Sequence, residues 1–204
     1  MSNTAEQNLG NARTYLKQTA EESWEIQKRF LADYGPVLVQ AAQKIGQAIR
    51  AGGKLLIIGN GGSAADAQHM AAEMVGRMLV ERRALPAIAL TTDSSNLTAL
   101  GNDSGYDHVF ARQIEALAQP GDVLLAISTS GNSANVLRAL EVAKQKKVVV
   151  IGLTGGAGGK LKGLCDLSLC AELGKNSSRI QETHIFAIHS MVDMMDRFFL
   201  DGDQ

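Results

Sequence analysis

Leu55-Leu56-Ile57-Ile58-Gly59-Asn60-Gly61-Gly62-Ser63-Ala64-Ala65-Asp66-Ala67-Gln68-His69-Met70-Ala71-Ala72-Glu73 is the stretch whose reading decides the fold. It opens on a short apolar run, the pattern of a buried strand. Three glycines and an Asn follow, where the backbone must turn tightly or approach a ligand closely. Ser63 is placed to cap the next helix, with Asp66 three residues on as its capping-box partner. Strand, glycine loop and helix N-terminus together suit phosphate, because free N–H groups and the positive end of the helix dipole face outward. His69 and Glu73 then fall at i and i+4 on one helical face. That spacing suits one metal ion, or a base beside its partner, and equally a solvated pair. The run is neither a Walker loop nor a full dinucleotide fingerprint.

Outward from this stretch, short apolar runs alternate with helical patterns. Strands are expected at 54–58, 86–90, 122–127, 148–153 and 167–171, and helices at 63–80, 109–117, 134–144 and 178–200, with a helical turn around 97–100. Alternation of this kind means an α/β fold, a doubly wound five-stranded parallel sheet, with ligands at the carboxyl ends of the strands. Residues 1–50 carry no strand signal and form a helical arm before a domain spanning 51–204. Leu9, Leu16, Ala20, Trp24 and Leu31 keep one face of the arm apolar. Tyr34-Gly35-Pro36 is expected to break it into two helices, near 5–33 and 37–50. Such a stripe needs a partner, and a neighbouring subunit is the simplest one.

Composition narrows the classes. The chain has 204 residues, 45% of them hydrophobic and 20% charged, which is globular rather than disordered. A net charge of −1 gives no electrostatic footprint for nucleic acid. No apolar run approaches the ~20 residues of a membrane span, and the polar N-terminus has no signal-peptide core. Cys165 and Cys170 are too few for a disulfide scaffold. A cytoplasmic protein is expected.

A second loop repeats the first. Ser128-Thr129-Ser130-Gly131-Asn132-Ser133 ends the third strand and opens a helix. Four hydroxyls can bond phosphate oxygens there beside the backbone N–H groups, with no Lys or Arg in the loop. The closing helix carries Arg179, Gln181, Glu182, His184 and His189. Gln181 and His189 roughly share a face, ~80° apart, whereas His184 lies ~140° from His189 and points elsewhere.

Asn60-Gly61-Gly62-Ser63, His69, Glu73, Asn102-Asp103, the serine loop and Arg179-Ile180-Gln181-Glu182 through His189 together resemble the sugar isomerase (SIS) domain family, a flavodoxin-like fold, and within it the phosphoheptose isomerases. The resemblance covers nearly the whole chain. It implies that Ser128, Thr129, Ser130 and Ser133 hold a sugar phosphate. It implies substrate contacts from Asn60, Gly61, Gly62, Ser63, Glu73, Asn102, Asp103 and Gln181, and from Arg77, which would come from a neighbouring subunit. It implies one zinc per subunit on His69, Glu73, Gln181 and His189, with Glu73 and His189 as the acid/base pair, and a homotetramer with active sites at subunit interfaces. Eight residues of helix rise ~12 Å, so Gln181 would need an incompletely formed helix, or the ligands would come from different subunits.

The implied activity is conversion of sedoheptulose 7-phosphate to D-glycero-D-manno-heptose 7-phosphate through an enediol, the first step towards ADP- or GDP-activated heptose for lipopolysaccharide or other glycans. The resemblance also admits a non-catalytic relative that binds the replication-initiation protein. That relative lacks the equivalents of Glu73 and His189, and their presence here favours the enzyme. A sugar-phosphate-sensing regulator would need a helix-turn-helix and a basic face, and the arm has neither.

Overall fold

The computed structural model describes residues 2–199. Its centre is a five-stranded, all-parallel sheet: β1 (Leu55–Gly59), β2 (Ala87–Ala89), β3 (Val123–Ser128), β4 (Val149–Gly155) and β5 (Leu167–Ala171), in the order β2-β1-β3-β4-β5. That order is the flavodoxin-like arrangement, with its switch point between β1 and β3. These two strands pair in register from Leu55↔Val123 to Gly59↔Ile127.

Helices cover both faces. Side chains alternate across a strand, so Leu55 and Ile57 pack on one side, and Leu56 and Ile58 on the other. The first side is covered by α1 (Ser2–Arg50), α2 (Gly62–Val75) and α6 (Ser177–Met194). The second is covered by α4 (Val109–Leu117) and α5 (Ala134–Gln145), with α3 (Ser94–Ser104) at its margin. The inner strands β1, β3 and β4 are sandwiched, which is why they read as near-continuous apolar runs, whereas Ile88 of β2 is exposed and Ser168 interrupts β5 at the sheet's edges.

Four local expectations are corrected. Tyr34-Gly35-Pro36 does not break the arm: α1 is one helix with Pro36 inside it. An interior proline costs about 3 kcal/mol. Here the helix is held on both sides of it, by buried Ile26 and Phe30 before and by Leu38, Ala41, Ala42, Ile45 and Ile49 after. Tyr34 adds a ring contact to Phe30 and a 2.6 Å hydrogen bond to Glu172. Second, Ser63 does not cap α2. The N-cap is Gly61, at φ 56°, and no side chain caps that end. Ser63 lies buried in the first turn, so close to Gly59 that a Cβ there would sit 2.7 Å from the Ser63 carbonyl. Third, α2 stops at Val75 rather than 80, at Gly76. Fourth, the turn expected near 97–100 is the whole helix α3, capped by the Asp93 side chain, which accepts from Asn96 N–H at 2.9 Å.

The closing helix α6 ends at Met194 and continues as a π-helical turn, Met195–Phe199. The expected end at Leu200 lies outside the described residues. Cys165 and Cys170 are free thiols, and burial pushes them up to about 12 and about 11. The second half of α1 belongs to the domain core. Before Asp33, Leu9, Leu16, Trp24 and Leu31, four of the five stripe residues, are more than half exposed, so the single chain leaves that stripe uncovered.

Candidate active site

The carboxyl ends of β1 and β3 deliver the two loops to one crevice. After β1 the chain enters α2 on one face; after β3 it enters α5 on the other, and the space between them opens at the switch point. The loops are tied across it. Asn60 Nδ2 donates to Asn135 Oδ1, and Asn135 Nδ2 donates to Asn60 Oδ1, both at 2.9 Å. Asn135 is buried and was not singled out from the sequence, because its importance depends on a partner 75 residues away. Tyr106 OH also reaches Asn60 Oδ1, at 3.4 Å, and brings the segment after α3 to the crevice.

The serine loop is organised by its own hydroxyls. Ser128 and Ser133 share a hydrogen bond of 3.0 Å, and Asn132 N–H donates to Ser130 Oγ at 3.2 Å. Ser133 is the N-cap residue of α5, yet its hydroxyl makes no cap bond. Gly131, at φ 64°, packs against Gly158; a side chain there would collide with the Gly158 carbonyl. Thr129 and Ser130 line a cleft of about 320 Å³ together with Gly155, Gly156, Lys175 and Asn176. Lys175 thus supplies a cation that the loop itself lacks.

The third component lies between α2 and α6, which run side by side. His69 Nε2 is 3.1 Å from Glu73 Oε1 and 3.0 Å from His189 Nε2, and His189 Nε2 is 3.6 Å from Glu73 Oε1. Glu73 Oε2 is buried without a partner. The two imidazoles are about half exposed, and Glu73 and His189 line a cleft of about 400 Å³ with Met78, Leu79 and Phe186. Asp66 faces the same group. Burial holds its carboxyl above the ordinary value, against the pull of His69 and His189.

Two nitrogens and one carboxylate oxygen at these separations form a group able to hold a metal ion. Tetrahedral zinc with bonds near 2.0–2.1 Å places its ligand atoms roughly 3.3 Å apart. The three distances bracket that spacing, and the orphaned Glu73 Oε2 is the kind of atom a bound ion or substrate satisfies.

The other expected residues are more dispersed. Gln181 lies in continuous helix, two turns before His189, so the incompletely formed helix does not occur. Its amide packs against Gly62. Arg77 lies beyond the end of α2, exposed, 3.3 Å from Glu81. Asn102 and Asp103 lie exposed on α3, bonded to each other at 2.8 Å. His184 is fully buried, 3.0 Å from the Thr154 carbonyl through Nε2, and points away from the site as its helical angle requires.

Comparison with known proteins places the chain among sugar isomerases. The SIS domain family matches residues 18–155. A phosphoheptose isomerase from Geobacter sp. (strain M21) is 51% identical over 189 residues, 92% of this chain and 98% of that one. One from Rhodospirillum rubrum is 52% identical over 166 residues, 81% of this chain and 88% of that one. The solved phosphoheptose isomerase from Neisseria gonorrhoeae superposes with a TM-score of 0.85 at 45% identity, covering 91% of this chain and 98% of that one.

Proposed function

The chain belongs to the SIS domain family and, within it, to the phosphoheptose isomerases, and we propose that it converts sedoheptulose 7-phosphate to D-glycero-D-manno-heptose 7-phosphate. It is a sugar-phosphate isomerase. The observation that carries the reading is the convergence of His69, Glu73 and His189 between α2 and α6, in a chain whose central strand β3 ends in the serine loop. The non-catalytic reading, binding of a replication-initiation protein, is not favoured.

Interconverting a ketose and an aldose requires a proton taken from one carbon and returned to its neighbour through a cis-enediol. Glu73 is the base: its carboxylate is largely shielded from water and stands beside both imidazoles. It offers two oxygens. Oε1 faces the imidazoles and Oε2 has no partner, so one carboxylate can serve a metal and a proton together. His189 serves as the acid towards the sugar oxygen. Ser128, Thr129, Ser130 and Ser133 receive the phosphate, with Gly61, Gly62, Ser63 and the Asn60–Asn135 pair shaping the sugar site. His69, Glu73, His189 and, from another subunit or after rearrangement, Gln181 would hold zinc. A bound zinc would supply Lewis-acid stabilisation of charge on the sugar oxygen.

The uncovered stripe of Leu9, Leu16, Trp24 and Leu31 supports a homotetramer built through the exposed part of the 1–50 arm, whose later residues pack into the core of the SIS domain at 51–204. The exposure of Arg77 supports its use in a neighbour's active site. Among the described residues no helix is long and apolar enough to cross a membrane. A cytoplasmic enzyme that feeds activated heptose synthesis, with no nucleic-acid or membrane partner, is the corresponding setting.

The test is turnover of sedoheptulose 7-phosphate by the purified protein, before and after chelation and zinc restoration, with the assembly's mass measured by light scattering. Aldoheptose phosphate from a zinc-dependent tetramer is expected. A folded tetramer that binds the sugar phosphate without converting it would overturn the reading.

A further inference from the structure

α2 ends without an ordinary cap. Its last-turn carbonyls have no partner within the helix, and Gly76 is not in the left-handed conformation that usually receives them. Arg82, six residues further on, turns back and fills the gap. Its Nη2 donates to the Glu73 carbonyl at 2.9 Å, and its Nη1 to the carbonyls of Met74 and Gly76 at 3.0 Å and of Arg83 at 3.2 Å. Its Nε donates to Asp196 Oδ1 at 2.6 Å. Asp196 is almost wholly buried and lies on the π-helical turn that follows α6. One guanidinium therefore joins the end of the helix carrying His69 and Glu73 to the end of the helix carrying His189.

We propose that Arg82 is a positioning residue for the isomerisation: through Glu73 and Asp196 it sets the spacing of α2 and α6, and so the meeting of Glu73 with His189. It does not touch that meeting point itself, since its contacts are to backbone carbonyls and Asp196. It also closes the loop that bears Arg77, because the chain returns at Leu85, whose N–H donates to the Met74 carbonyl at 3.0 Å. Lysine cannot substitute. It is a point charge with three donors, whereas the five acceptors here surround a planar fork. The π turn that carries Asp196 fits the same account, since such turns are frequent at functional sites.

This inference rests on the proposed isomerase reading, and its test separates the two. Arg82→Lys is prepared as the full-length protein beside wild type. Four quantities are read per folded chain: kcat and KM for the sugar phosphate, the deuterium isotope effect for substrate labelled at the carbon that loses its proton, and Zn2+ affinity by chelator competition. Expected are a kcat at least tenfold lower, a KM within threefold, a larger isotope effect and at least tenfold weaker Zn2+ binding. A partly unfolded population leaves the isotope effect unchanged, because inactive chains cancel from the ratio. Should Arg82→Lys fail to fold, Arg82→Met with Asp196→Met removes both buried charges together and is read in the same way. A folded variant with wild-type kcat, isotope effect and Zn2+ affinity overturns the proposal. Failure of the wild-type protein to turn over would sink the isomerase reading instead, and Zn2+ affinity would still report whether Arg82 sets the trio.

Discussion

Asn60 and Asn135 donate to each other's side-chain amides, both at 2.9 Å, across the switch point between β1 and β3. The pair welds the glycine loop at the start of α2 to the serine loop at the start of α5. Two loops that approach from opposite faces of the sheet are thereby fixed in one register before any ligand binds. Asn135 Oδ1 also accepts from Val136 N–H at 2.9 Å, so the amide is held in one orientation.

Asn135→Ala should therefore damage binding and stability together. It leaves the half-buried Asn60 amide without its partner, a loss of about 1–3 kcal/mol. The expected result is a melting temperature lower by several degrees and kcat/KM lower by roughly tenfold. Calorimetry and steady-state kinetics on the same preparation check it. Unchanged kcat/KM would mean that the two loops need no fastening.

Ser130→Ala should raise KM more than it lowers kcat. The hydroxyl lies in a loop whose other hydroxyls are partly engaged with each other, and a hydrogen bond to a charged group contributes about 1.5–3 kcal/mol. The rise in KM should be on the order of tenfold or more. An unchanged KM would place the phosphate elsewhere.

Glu73→Gln keeps the size of the side chain and removes the base. Isomerisation should fall by at least about a hundredfold, while the assembly's mass stays the same. Near-normal turnover would remove Glu73 from the mechanism.

His184 sets an acid limit to stability. It is fully buried, and burial lowers its pKa from 6.5 to about 4. The unfolded chain takes up the proton below about pH 6.5 and the folded chain only near pH 4, so the folded state loses stability as pH falls through that window. The total is on the order of 3 kcal/mol. Denaturant midpoints between pH 7 and 4 measure it. In His184→Gln that part of the decline should disappear; an unchanged decline would assign it to other groups.

Much of the fold was legible because β1, β3 and β4 are buried on both faces, so each is an apolar run bounded by glycines and polar loops. The errors arose where local rules met tertiary packing. Pro36 is a helix breaker by rule, yet buried side chains before and after it hold α1 together. Ser63 has the right chemistry for a cap, but the positive φ at Gly61 moves the helix start back and buries the hydroxyl. Met78, Leu79 and Val80 continue a helical apolar pattern, whereas Arg82 ends α2 at Gly76. His69 and Glu73 could be paired from their spacing alone. His189, 120 residues from His69, joined them only through the family resemblance. Asn135 and Arg82 were invisible, since each acts through a partner distant in sequence.

The measurement that bears most directly on the central claim is proton NMR of the purified protein with sedoheptulose 7-phosphate in D2O. Proton transfer through Glu73 and an enediol predicts aldoheptose phosphate carrying deuterium at C2, and loss of both product and label in Glu73→Gln. Product formed without any deuterium at C2, or label incorporated equally well by Glu73→Gln, would contradict it.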